Sequence, residues 1–155
     1  MSGRRLVIGI GNAYRGDDAV GLAVAKRVRG AVPEDVVVLE CEQEPTRLVD
    51  AWDGADVAVV VDACAGDEAP GTVHRFDAGE GPLPARVFRS STHAFGVGDA
   101  VELSRALGRL PARLVVYGVA GASFAGGAAL SAPVETAVDG VVEAIVRDLG
   151  EDARA

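Results

Sequence analysis

Val57-Ala58-Val59-Val60-Val61 is an unbroken apolar run that ends on Asp62, and no other stretch restricts the fold so tightly. A strand with one wet face alternates apolar and polar side chains, whereas a run without alternation needs cover on both faces. Asp56–Ala63 therefore reads as a central strand. Arg4–Ile10 reads as a second strand of the same buried kind. Such strands sit in a mostly parallel sheet between two layers of helix.

The rest of the chain supplies those layers. A first helix starts near Asp17 or Asp18, carries Val20, Val24 and Val28 at helical spacing, and stops at Gly30 and Pro33. Asp35–Glu40 reads as strand two, and Pro45–Trp52 as a short helix with Leu48, Val49 and Trp52 inward. Thr72–Phe76 is a weaker strand. About eight residues part it from the central strand, too few for a parallel crossover, so it is expected to pair antiparallel near an edge. A Gly- and Pro-rich loop over Gly79–Ser91 leads to a helix over Phe95–Leu107 and a strand over Arg113–Val119. The small-residue loop Gly121–Gly127 is expected to be mobile. Ser131 is placed to cap a last helix striped by Val134, Val138, Val141, Val142, Ile145 and Leu149. The tail Glu151–Ala155 is expected to be frayed and disordered. Together these elements predict one α/β domain over residues 1–155. It is a three-layer sandwich with a twisted, mostly parallel five-stranded sheet, one antiparallel strand, and helices on both faces.

A chain of 155 residues, 49% of them hydrophobic, is large enough to bury a core. Aromatic residues are only 5%, so valine, alanine and leucine must build it. The net charge of −8 and the lack of a basic stretch argue against a nucleic-acid partner. No apolar run is long enough for a bilayer, so no membrane association is expected. The start, Met-Ser-Gly-Arg-Arg, leads into a short strand with no small-residue cleavage site, which predicts no signal peptide and a cytoplasmic protein. The two cysteines, Cys41 and Cys64, lack metal spacing and are expected as reduced thiols.

Ligands of open parallel sheets bind outside the carboxyl ends of the strands. Three polar segments are expected to meet there: Gly11–Asp18, Asp62-Ala63-Cys64, and Ser90-Ser91-Thr92-His93. The first is a strand running through a glycine turn into a helix, the usual lead-in to a phosphate site. Asp17 and Asp18 oppose that use, because carboxylates at the mouth repel phosphate. The dinucleotide fingerprint also fails, with Tyr14 where a third glycine is required. No Gly-x-Ser-x-Gly elbow offers a serine nucleophile.

A carboxylate closing a buried strand costs several kcal/mol unless it is paired, hydrogen-bonded or metal-bound. Asp62 therefore either caps a neighbouring segment or serves a site. One of Asp17 and Asp18 fits the first helix's cap, which leaves the other to face the crevice. His93 is either a loop or cap residue or a ligand, and His74, alternating in the fourth strand, is expected at the surface. Cys64 shares a strand face with Asp62 and either packs or lines the crevice. Asp18, Asp62 and His93 together form a carboxylate–imidazole set suited to a divalent transition metal, with positions left for water or substrate.

Several blocks now fall into a familiar order. They are Gly9-Ile10-Gly11-Asn12 with Gly16-Asp17-Asp18-Ala19-Val20-Gly21, Val60-Val61-Asp62-Ala63, Pro70-Gly71-Thr72, Thr92-His93-Ala94-Phe95-Gly96 and Tyr117-Gly118-Val119. Over nearly its whole length the chain resembles the hydrogenase maturation proteases. These endopeptidases trim the C-terminal extension from the large subunit of nickel–iron hydrogenases and are classed as aspartic-type. The resemblance implies a twisted sheet between helices, with Asp18, Asp62 and His93 as metal ligands and as the catalytic set. It implies nickel supplied in the substrate, with zinc or cadmium able to occupy the site in vitro. The implied partner is the large-subunit precursor, cut after metal loading near its nickel-binding cysteines by a monomer or weak dimer.

Two departures stand out. Some members carry Glu at the position of Asp18, and many carry an Asp-Gly-Gly-Thr-type segment where this chain has Glu40-Cys41-Glu42-Gln43-Glu44. The resemblance gives that loop to the substrate, which makes Glu40, together with Asp17, the expected substrate-binding positions. A non-catalytic, nickel-sensing maturation chaperone with the same three ligands is the alternative reading.

Overall fold

The computed structural model describes residues 4–12, 16–42, 47–64, 68–84, 96–122 and 129–153. Strands β1 (Arg5–Gly11), β2 (Val36–Glu42), β3 (Val57–Cys64), β4 (Val73–Asp77) and β5 (Arg113–Ala120) form one sheet in the order β2-β1-β3-β5-β4. Neighbours run parallel except β4, which lies antiparallel on β5 at an edge. The apolar run occupies the middle strand, and every residue of β3 is buried.

Helices cover both faces. Side chains of α1 (Val20–Arg29) and α4 (Ala132–Ala153) pack with Val57, Val59 and Val61. Those of α2 (Leu48–Trp52) and α3 (Val97–Leu107) pack with Ala58 and Val60 on the opposite face. Strand alternation alone makes this division. Trp52 is fully buried, and its Nε1 donates to Ser104 Oγ at 2.7 Å, which ties α2 to α3. No described helix is long and apolar enough to cross a membrane.

The site follows from the strand order. From β1 the chain runs through α1 to β2 on one side, and from β3 it runs on to the strands of the other side. Two adjacent parallel strands thus send their chains apart at their carboxyl ends, which opens a crevice there. Residues 16–21 approach β1 and β3 closely because two glycines permit it. A Cβ on Gly21 would stand 2.2 Å from the Ile10 carbonyl oxygen and 2.4 Å from that of Val61. One on Gly11 would stand 2.0 Å from the Asp18 carbonyl oxygen. The glycines of the first motif therefore serve close backbone contact.

Some local structure departs from expectation. Asp17 and Asp18 do not begin the first helix. They lie in a 3-10 turn, Gly16–Ala19, and α1 starts at Val20, with Ala19 making no side-chain cap bond. At the other end α4 runs on to Ala153, into the tail expected to fray, because no proline interrupts Glu151-Asp152-Ala153. The loop Gly121–Gly127 lies outside the described residues apart from Gly121 and Ala122.

Candidate active site

Asp17 and Asp18 are adjacent in sequence and take different tasks. Asp17 is fully buried. Its Oδ1 accepts from the Ser131 backbone N–H at 2.7 Å, and its Oδ2 from the Ala122 N–H at 2.6 Å and the Ser131 hydroxyl at 2.8 Å. The carboxylate thereby fastens the turn after β1 to the end of β5 and the start of α4, where the helix dipole favours an anion. Substrate contact is the role expected of Asp17, and here its carboxylate is turned inward onto these three donors. Ser131 stands just before α4, its carbonyl accepting from the Glu135 N–H at 2.9 Å, and its hydroxyl donates to Asp17.

Asp18 is 3% exposed and Asp62, near the end of β3, is 2% exposed. The Ala63 N–H donates to Asp62 Oδ1 at 2.8 Å. Burial pushes the Asp62 carboxyl well above the usual carboxylate range, the negative charge of Asp18 pushes it further, and the Ala63 N–H only partly opposes them. Two buried acids from separate elements thus lie near enough for the charge of one to act on the other where β1 and β3 part. A divalent cation would relieve both desolvation and repulsion, so this part of the donor set fits a metal.

The third expected ligand, His93, lies outside the described residues, as do Ser90, Ser91 and Thr92. Among the described residues no group of three or more His, Cys, Asp or Glu is arranged to hold an ion. Cys64 follows Asp62 on the same strand face and is buried. Burial, then the charges of Asp62 and Glu68, push its thiol up to about 11. It remains protonated near neutral pH and supplies no thiolate nucleophile.

The family model for hydrogenase maturation protease matches residues 22–148. The chain belongs to the hydrogenase maturation protease family. It is similar to the hydrogenase 2 maturation protease of Escherichia coli K12, at 26% identity over 151 residues covering 96% of this chain and 92% of that protein. The hydrogenase expression/formation protein HupD of Bradyrhizobium diazoefficiens is 31% identical over 117 residues, which span 74% of this chain and 61% of HupD. Among solved structures, the hydrogenase maturating endopeptidase HybD from E. coli superposes with a TM-score of 0.82 at 25% identity, covering 96% of this chain and 93% of that one. The [NiFe] hydrogenase maturation protease HybD from Thermococcus kodakarensis gives 0.74 at 28% identity, covering 93% and 97%.

In this family member Glu40 is ion-paired with Arg29, with Lys26 at 3.9 Å, so its carboxylate faces α1. A groove of about 410 Å³ lies between β2 and α2, lined by Leu39, Glu40, Cys41, Arg47 and Leu48 among others. Tyr117, part of a family-like block, belongs to a structural network. Its hydroxyl donates to Asp148 Oδ2, and Arg75 Nη2 donates to Asp148 Oδ1 at 2.6 Å, binding α4 to β4 and β5. Burial first, then the bond to Asp148, push the phenol up to about 12. The one clue in the sequence was an acid lying between Ile145 and Leu149 of an otherwise apolar stripe.

His74, expected at the surface, is half-buried on the edge strand β4. Its Nε2 is buried without a hydrogen-bond partner among the described residues, and its ring stacks on Phe76 with centroids 6.0 Å apart and 12° between planes. Alternation places it on the same face of β4 as Phe76 but does not indicate that one ring nitrogen is buried there.

Proposed function

We propose that this protein is an endopeptidase that removes the C-terminal extension of a [NiFe] hydrogenase large-subunit precursor once nickel is in place. The carrying observation is the Asp18–Asp62 pair, buried at the parted ends of β1 and β3. Asp62 has no Lys or Arg partner among the described residues, so its burial beside a second acid is a cost without structural return. A cation that arrives with the substrate removes that cost.

On this reading the ion comes bound to cysteine thiolates of the precursor. Asp18, Asp62 and His93 add ligands to it, and this docking sets the scissile carbonyl beside the metal. The extended segment of the precursor lies along the groove next to β2. A carboxylate acts as general base toward water, which adds to the carbonyl carbon. The C–N bond then breaks, the proton passes to the leaving amine, and a new C-terminal carboxyl remains.

Mass spectrometry of nickel-loaded precursor tests the proposal. Wild-type protein is expected to release a C-terminal peptide, and Asp62→Ala to do so about 100-fold more slowly or worse. Nickel-free precursor is expected to stay whole. Binding by wild type without loss of mass would point to the chaperone reading, and undiminished cleavage by Asp62→Ala would remove Asp62 from the chemistry.

A further inference from the structure

Asp62, Gly118 and His74 occupy one row of the sheet. Asp62 pairs with Gly118 across β3 and β5, and His74 pairs with Gly118 across β5 and β4. Partners in a row point to the same face, so the carboxyl and the imidazole project on the α2/α3 side with only a glycine between them in that row. Strand spacing of about 4.8 Å puts their Cα atoms roughly 10 Å apart. A carboxyl, one water and an imidazole span that distance.

Each of the two side chains has an idle polar atom. Asp62 Oδ1 takes the Ala63 N–H, and Oδ2 takes no hydrogen bond among the described residues. His74 Nε2 is buried and equally unpartnered among them. An unsatisfied buried nitrogen is a standing penalty. A phenylalanine at position 74 would keep the stack on Phe76 and carry no such penalty, so packing alone does not account for the imidazole.

We propose that His74 is a positioning residue for the proteolysis. Its Nε2 holds a water against Asp62 Oδ2, and this fixes the orientation of the carboxyl and of the water beside it. Gly118 keeps the row between them free of any side chain of its own. The inference rests on the proteolytic reading above.

The test compares His74→Phe and His74→Gln with wild type, using full-length protein, nickel-loaded precursor and thermal unfolding. His74→Phe is expected to leave KM unchanged, to lower kcat about 10-fold or more, and to melt at the wild-type temperature or higher. His74→Gln, which restores a polar atom near the place of Nε2, is expected to recover several-fold over His74→Phe. Wild-type kcat in His74→Phe overturns the inference. So does an effect on KM alone, or a loss of kcat that accompanies a lower melting temperature and is not rescued by Gln. Wild type that fails to cut overturns the proteolytic reading and this inference together, whereas cutting by wild type and His74→Phe at equal rates overturns this inference alone.

Discussion

Asp62 weakens the resting fold. Its pKa is raised on folding, so the folded protein holds this proton more firmly than the unfolded chain. The stability linked to it is therefore full below the ordinary carboxylate pKa and falls as the pH climbs toward the raised folded value. Asp62→Asn keeps an acceptor for the Ala63 N–H and cannot ionise. It is expected to melt higher than wild type at neutral pH, by roughly 2–4 °C for each kcal/mol recovered. The two curves should converge below a pH of about 4. Thermal melts across that range check it, and the same variant is expected to lose cleavage, a trade of stability for activity. The anomaly at Asp62 was legible because it is local, a carboxylate closing five apolar residues. The division of labour between Asp17 and Asp18 was not. It is set by Ala122 and Ser131, which are 105 and 114 positions from Asp17.

At the scale of elements, the turn Gly16–Ala19 depends on Asp17 for its attachment to α4. Asp17→Ala removes a charged acceptor from three donors, so a loss of at least about 1.5–3 kcal/mol is expected in urea unfolding. Activity should fall with it, because Asp18 rides on the same turn. Two neighbouring acids thus give opposite signs: neutralising Asp62 stabilises and truncating Asp17 destabilises. Strand positions were read to within a residue or two because two-sided burial writes itself as unbroken valine. The start of α1 was misread because a 3-10 turn and a helix's first turn accept the same residues. What separates them is the Gly11–Asp18 and Gly21–Val61 backbone contact, which no local pattern records.

For the molecule as a whole, the central place of β3 and the antiparallel edge strand β4 followed from burial and from the short link between them. The long-range clasps did not, since Asp148 with Arg75 and Tyr117 joins parts of the chain that share no spacing. The last helix is the clearest dependency. Val134, Val138, Val141, Ile145 and Leu149 are all buried against the α1 side of the sheet. A chain ending before Ala132 is expected to lack a cooperative melting transition and to bind a hydrophobic dye, because one sheet face loses half its cover. Calorimetry and dye fluorescence would show it.

The clasp between Asp17 and Ser131 links a residue made early on the ribosome to one made late. The acids beside it are encoded in the first half of the chain, yet their setting is finished only when the final helix has emerged. On the proposed reading, a chain still being made is expected to lack cleavage until that last helix has packed and closed the clasp.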